Sequence, residues 1–168
     1  MKRISTIGSL LKKIYRLYSL ELLTEMQKRG FSDLRPSFLD LLSFICDHEG
    51  TSIKQIGLAC GLKKQTMTSH LNELEKRGYI IRRMNHLDKR EQNIFLTEYG
   101  KKFRFDVYEA TTDIEKIYAN KMGETELDRV EFVLRSLYQD FLQGAEQRNS
   151  HPISMPKEEI SSLEMSLS

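Results

Sequence analysis

The 168-residue chain is short of several things, and each shortage removes a class of protein. It holds two cysteines, Cys46 and Cys60, each in an apolar helical context, with no CxxC pair. That argues against a disulfide framework and leaves two reduced, buried thiols as the reading. Its four histidines, His48, His70, His86 and His151, are dispersed without the short spacing of metal ligands, so no metal and no cofactor is expected. No run approaches the ~18 consecutive apolar residues of a membrane span, so no membrane partner is expected. The basic start, Met1-Lys2-Arg3-Ile4-Ser5, runs on into Lys12, Lys13 and Arg16 and has no signal-peptide apolar region. The resulting expectation is a cytoplasmic protein. There is no nucleophile elbow, phosphate loop, HExxH or isolated acid pair in a catalytic setting, which argues against an enzyme. Asp47 and His48 are neighbours in sequence only. No internal repeat is visible.

What is present is an ordinary composition with a rich charged surface: 39% hydrophobic and 30% charged residues, enough for one domain with a useful core. The net charge of +2 is unevenly spread. From Lys54 to Arg90 there are nine Lys/Arg and three acids, a surplus of six, so the remainder of the chain carries −4. Taken alone, this is a solvated basic face. Its coincidence with the pattern below gives it meaning as a phosphate-binding surface.

Apolar residues at Ile4, Ile7, Leu11, Ile14, Tyr18, Leu22 and Met26 step by three and four, predicting an amphipathic helix over 4–29. Leu10, Leu17, Leu20 and Leu23 widen its stripe beyond what one small domain hides on its first helix, and Gly30 supplies a stop. Pro36 opens a second helix, with Phe38, Leu41, Leu42 and Ile45 inward and Gly50 at its end. Ser52 and Gln55 have capping-box spacing for a third, over about 53–60. After the turn Cys60-Gly61-Leu62, a fourth helix covers about 63–77 with Met67, Leu71 and Leu74 inward. Tyr79 follows the Gly78 stop and is placed to pack on Leu74. Two short helices across a glycine-containing turn read as helix-turn-helix.

Two short strands follow, 79–84 and 93–97, joined by the charged stretch Leu87-Asp88-Lys89-Arg90-Glu91-Gln92. A helix followed by a hairpin with a basic tip is a winged helix-turn-helix pattern, in which the helix lies in a major groove and the tip reaches the adjacent minor groove. Thr97 caps a fifth helix, about 98–122, with Phe103, Val107, Ala110, Ile114, Ile117 and Tyr118 inward. After Gly123 a sixth runs to about residue 148, where Leu127, Val130, Val133 or Leu134, Leu137, Tyr138 and Phe141 recur at helical spacing. The expected fold is therefore mainly α with a small β-hairpin wing. Residues 31–97 form the winged lobe, flanked by an N-terminal helix (1–30) and C-terminal helices (98–148). The stretch 149–168, with Pro152, Pro156 and five further serines, reads as a mobile tail, although Ile160, Leu163 and Leu167 leave a short amphipathic helix open. The apolar surface of the first, fifth and sixth helices exceeds one core and suggests dimerisation through Ile4, Ile7, Leu11, Ile14, Leu134, Leu137, Tyr138 and Phe141.

On the fourth helix, Lys64, Gln65, Thr66, Thr68 and Ser69 are the candidates for reading bases. Gln pairs with adenine edges, Thr meets a thymine methyl, and Lys meets guanine or phosphate. Asn72 lies one turn on, toward phosphate. His70 is either partly buried or turned to DNA. At the tip, Arg90 is suited to a narrow A·T minor groove, Asp88 orients it, and Lys89 adds a phosphate contact. Lys63, Ser52 and Lys54 are further backbone candidates. Arg82 and Arg83 alternate along one strand, so only one of them faces DNA. The alternative for the polar helix face is a plain solvated surface.

The residues Leu74-Glu75-Lys76-Arg77-Gly78-Tyr79-Ile80, then Asp88-x-Arg90, then Leu96-Thr97-x-x-Gly100 resemble the MarR-type (multiple antibiotic resistance regulator) transcription factors over roughly residues 4–148. The resemblance implies a homodimer joined by its first and last helices, with two winged lobes reading a pseudo-palindromic operator on double-stranded DNA. It also implies the Asp88–Arg90 pair as a wing signature and a cleft between the dimerisation and DNA-binding regions that takes a small aromatic or phenolic effector. Two departures stand out: Lys63 where the family often has Ser or Asp, and Ser69 where it often has Arg, so base preference does not carry over. Relatives that sense oxidants use a first-helix cysteine. Here Tyr15 and Tyr18 stand in that helix, and a redox role would fall to Cys46 or Cys60 if exposed. The expectation is a DNA-binding transcription regulator, repressor or activator according to operator position. The alternatives are a ligand- or protein-binding module keeping the fold, or a cysteine redox sensor.

Overall fold

The computed structural model describes residues 2–85 and 91–149. Its elements in chain order are α1 (Arg3–Lys28), α2 (Pro36–Asp47), α3 (Ile53–Ala59), α4 (Lys64–Lys76), β1 (Ile80–Met84), β2 (Gln92–Leu96), α5 (Glu98–Met122) and α6 (Glu124–Asn149). The expected helices and hairpin are present, with ends displaced by a few residues. The tail expectation for 149–168 falls almost wholly outside the described residues.

Local chemistry explains the boundaries. Pro36 sits in the first turn of α2, where its missing N–H costs nothing. Ser52 and Gln55 form the full capping box at α3: Gln55 N donates to Ser52 Oγ at 3.3 Å and Ser52 N to Gln55 Oε1 at 3.2 Å. Lys63 at the N-cap of α4 makes no side-chain cap bond. The end of α4 is a Schellman motif. Gly78 (φ 79°) donates its N–H to Glu75 O, and Tyr79 donates to Leu74 O, each at 3.0 Å. That left-handed turn swings Tyr79 onto the core and starts β1.

β1 and β2 pair antiparallel, from Ile80↔Leu96 to Met84↔Gln92. β2 also has a partner on its other side. Gly50 N donates to Ile94 O at 2.8 Å, Ile94 N donates to Thr51 O at 3.0 Å, and Ser52 bridges Asn93. The turn before α3 thus acts as a short third strand, which the sequence pattern did not reveal.

The Gly78-Tyr79 and Leu96-Thr97-x-x-Gly100 motifs meet in one seam. Thr97 N donates to Tyr79 O at 3.1 Å, and the Thr97 hydroxyl donates to Gly78 O. Thr97 Oγ1 in turn accepts Gly100 N at 3.0 Å, capping α5. A Cβ on Gly100 would stand 2.1 Å from Tyr79 O, so only glycine allows this approach. Above the seam Tyr79 packs with Phe31, Tyr99 and Phe103, centroids 4.8–6.2 Å apart, and its hydroxyl donates to Asp33 Oδ1 at 2.8 Å. Phe38, Leu41, Leu42 and Ile45 of α2 and Met67, Leu71 and Leu74 of α4 are buried as expected.

The long helices differ. On α5, Phe103, Ala110 and Ile114 are buried and Val107 is half-buried, but Ile117 and Tyr118 are exposed, contrary to expectation. A 25-residue helix is about 37 Å long and runs past the lobe that covers its first turns. α1 buries Ser19, Leu22 and Met26, while Ile4, Ile7, Leu11 and Ile14 are exposed. On α6, Val130, Val133, Leu134 and Phe141 are exposed, Leu127, Leu137 and Tyr138 half-buried, and Leu142, absent from the expected stripe, buried. Among the described residues, no helix is long and apolar enough to cross a membrane.

Candidate nucleic-acid interface

α4 divides cleanly. Its Met67-Leu71-Leu74 stripe is buried, and on its exposed surface stand Lys64, Gln65, Thr66, Thr68 and Ser69, with Lys63 at the N-cap. The Thr68 hydroxyl donates to Lys64 O at 2.9 Å, so its hydrogen is already engaged within the helix.

Other candidates take different positions. His70 turns toward α2 and away from the outer face. Its Nε2 lies 3.2 Å from Ser37 Oγ and its ring meets Phe38 edge-on at 5.2 Å, which resolves the open choice in favour of packing. Asn72 is exposed, but its Oδ1 accepts Arg82 Nη2 at 2.5 Å. Because a guanidinium only donates, the amide oxygen must be the atom facing it. Arg82 also pairs with Glu75 through Nε at 3.3 Å, and Glu75 Oε1 accepts the Arg82 backbone N–H at 3.3 Å. With its side chain 17% exposed, Arg82 ties β1 to α4 and is not displayed to solvent. Arg83, on the opposite side of the strand, lies over the Phe95 ring at 5.1 Å and is exposed. Ser52 is buried with its hydroxyl committed to the α3 cap, so a side-chain phosphate contact there is corrected to a structural role. Lys54 is exposed on α3. Asp88, Lys89 and Arg90 lie outside the described residues.

The basic surplus is also refined. Arg77 donates to Glu73 Oε1 from Nε (2.9 Å) and Nη2 (2.7 Å), pairs with Asp33 Oδ2 at 3.2 Å, and lies over Phe38 at 5.2 Å. The hydrogen bond from Arg77 holds the Glu73 carboxyl below its usual range. Two arginines and both glutamates of the segment are therefore spent on each other, on Asp33 and on Asn72. Lys54, Lys63, Lys64, Lys76 and Arg83 carry the remaining described charge.

Neither cysteine is fully exposed. Cys46 is buried and Cys60 half-buried, and burial pushes their thiols up to about 12 and about 11, which depletes the reactive thiolate. Among the described residues, no group of three or more His, Cys, Asp or Glu side chains is placed to hold a metal.

A cleft of about 590 Å³ opens between α1 (Tyr18, Leu22), α2 (Ser43, Cys46, Asp47) and α5 (Lys101, Arg104, Phe105, Val107, Tyr108, Thr111). It lies where the long helices meet the lobe. Beside it, the Tyr15 hydroxyl donates to Asp40 Oδ1, joining α1 to α2. Burial, together with that carboxylate, raises the Tyr15 phenol to about 12.

Residues 32–91 match the MarR family model. The chain is 35% identical over 86 residues to the HTH-type transcriptional regulator SarZ of Staphylococcus epidermidis, covering 51% of this chain and 55% of that protein. It is 38% identical over 66 residues to the HTH-type transcriptional regulator TtmR of Methylorubrum extorquens, covering 39% and 33%. The chain thus spans about half the length, or less, of these curated relatives, both named as transcriptional regulators and not as enzymes. The fold is shared with a MarR transcriptional regulator from Methanosarcina mazei (TM-score 0.72, 19% identity, 83% of this chain and 98% of that one). It is shared as well with Streptococcus pneumoniae FabT, solved in complex with DNA (TM-score 0.68, 24% identity, 84% and 98%). The seam of α4, hairpin and α5 is built largely from residues of the sequence motif, residues 32–91 of the lobe match the MarR family model, and the fold is that of solved MarR-type regulators.

Proposed function

We propose that this protein is a homodimeric, sequence-specific DNA-binding transcription regulator. α4 enters the major groove, the hairpin tip reaches the minor groove, and two lobes read half-sites about one helical turn apart. The observation that carries this reading is the exposed row Lys64, Gln65, Thr66, Thr68 and Ser69, held on a rigid helix directly ahead of the hairpin. The DNA complex of FabT, a protein of the same fold, supports it. The exposed apolar residues of α1 and α6 support dimerisation: Ile14 is 59% and Phe141 52% exposed in a single copy. The cleft is the effector site in this reading, since a ligand there touches both the long helices and the lobe. The protein works in the cytoplasm.

Selection from a random duplex library, followed by anisotropy titration of the winner at two salt concentrations, tests the proposal. The expected result is an inverted repeat bound with a steep salt dependence. Arg90→Ala should weaken binding most at sites with A·T-rich flanks. Lys64→Ala should lower the salt slope by about one if it contacts one phosphate. Absence of enrichment, with and without cell extract, would sink the DNA-binding reading and leave a partner-binding module.

A further inference from the structure

Along α4 the residues Gln65, Ser69, Asn72 and Lys76 recur at helical spacing and are all exposed, opposite the buried Met67-Leu71-Leu74 stripe. Asn72 stands about 12 Å along the helix axis from Lys64. A primary amide can offer a partner either its oxygen, which accepts, or its NH2, which donates. Here Arg82 makes the choice. Its Nη2 donates to Asn72 Oδ1 at 2.5 Å. The arginine is itself fastened to Glu75: Nε lies 3.3 Å from Oε2, and its backbone N–H donates to Oε1 at 3.3 Å. An amide whose oxygen faces a guanidinium turns its Nδ2 the other way. No described residue accepts from that nitrogen.

We propose that Arg82 is a positioning residue for DNA: it locks the Asn72 amide with its NH2 outward, where it donates to one phosphate oxygen per half-site. The inference rests on the reading of α4 as the helix that enters the major groove. The first turns of such a helix meet base edges, and a side chain two turns further on meets the sugar-phosphate backbone as the helix leaves the groove. Phosphate oxygens only accept, so an amide presenting its oxygen would be repelled. An amide free to flip would meet the phosphate with the wrong end in part of the population. Holding Oδ1 removes that wrong end before DNA arrives. The sequence offers Asn72 and Arg82 as two separate phosphate contacts. The structure makes them one contact, in which the arginine keeps its charge on Glu75 and acts through the amide.

Two measurements on the full chain test this, one without DNA. NMR of the arginine side-chain N–H groups should show the Arg82 Nη2 protons slowed in exchange in the wild type and in Asn72→Asp, and released in Asn72→Ala. With the selected duplex, Asn72→Ala should lose roughly tenfold in affinity, the scale of one hydrogen bond to a charged group. The salt slope should not change, because the lost donor is neutral. Asn72→Asp separates positioning from bracing. It keeps the bond to Arg82, and with it the thermal stability, but turns a second oxygen toward the phosphate. Affinity should therefore fall about a hundredfold or more, as like charges are brought together. A residue that only braced β1 against α4 would tolerate this change. In a set of duplexes, each with one phosphate replaced by a neutral methylphosphonate, one position per half-site should weaken the wild type and leave Asn72→Ala unaffected. Arg82→Met should erase most of that coupling, and Arg82→Lys should restore it. Asn72→Asp binding as well as the wild type overturns the proposal. So does the absence of any such phosphate, or freely exchanging Arg82 Nη2 protons in the wild type. A wild type that holds the Arg82 bond yet binds no duplex overturns the DNA-binding reading, and this proposal with it.

Discussion

The winged lobe and the long helices are made of similar residues to opposite ends. In the lobe, apolar side chains are consumed internally: Leu71, Leu74, Tyr79 and Ile94 are fully buried in one copy. Along the N-terminal half of α1 and most of α6 the same residue types face outward, Ile4, Ile14, Phe132 and Phe141 among them. Apolar residues recur at helical spacing in both, so spacing alone does not tell a finished core from an uncovered one. The lobe is complete as a single chain. The long helices leave much of their apolar surface exposed in a single copy.

Two glycines sharpen the contrast, and the larger effect belongs to the seam where α5 meets the lobe. Gly100→Ala drives a Cβ into Tyr79 O, and thermal unfolding should report a loss of about 3 kcal/mol or more, since backbone cannot yield as a side-chain tip can. Next comes thiol chemistry in the lobe and at its border. With Cys60 raised to about 11 and Cys46 to about 12 from an ordinary 9.0, iodoacetamide at pH 8 should label the native protein about 100-fold more slowly than the denatured one. The sign for stability follows: burial favours the protonated thiols, so this contribution is whole below pH 9 and fades as pH rises toward 11 and 12. Rapid labelling of the folded protein would reinstate a redox role. Ile14→Glu should leave the lobe folded by circular dichroism while weakening self-association at least about tenfold in sedimentation, roughly 1.4 kcal/mol. An unaffected dimer would move the interface off this face. The smallest change is Gly8→Ala in α1. Its Cβ meets nothing within 4 Å, and the variant should gain about 0.5–1 kcal/mol from helix propensity alone. A loss there would show that this stretch of α1 is already tightly packed against a partner.

Much of the fold was legible because its punctuation is chemical. Ser52 with Gln55, Thr97 ahead of Gly100, and Gly78 after Leu74 each mark a boundary through a hydrogen bond that only those residue types make. What escaped was long-range and carried by polar side chains. Glu49 and Glu75 look like ordinary surface acids in sequence, yet each accepts a backbone N–H of the hairpin, from Leu96 and Arg82. Arg82 looked like a cation for phosphate until Asn72 and Glu75 engaged it. His70 was ambiguous because position 70 lies on the border of the buried stripe, and only the proximity of Ser37 and Phe38 decides its direction. Ile117 and Tyr118 continue the periodicity of α5 beyond the length of the lobe beneath it, and periodicity carries no information about where cover ends.

The two glutamates have one more consequence. Where the margin of a small sheet is left unpaired, it invites a strand from another molecule to dock and propagate. Here both margins carry a carboxylate on a main-chain donor that such a strand would need, and an arriving backbone carbonyl would have to displace a negative charge to take its place. The Leu96 and Arg82 N–H groups are thereby withheld from pairing with a strand of another molecule.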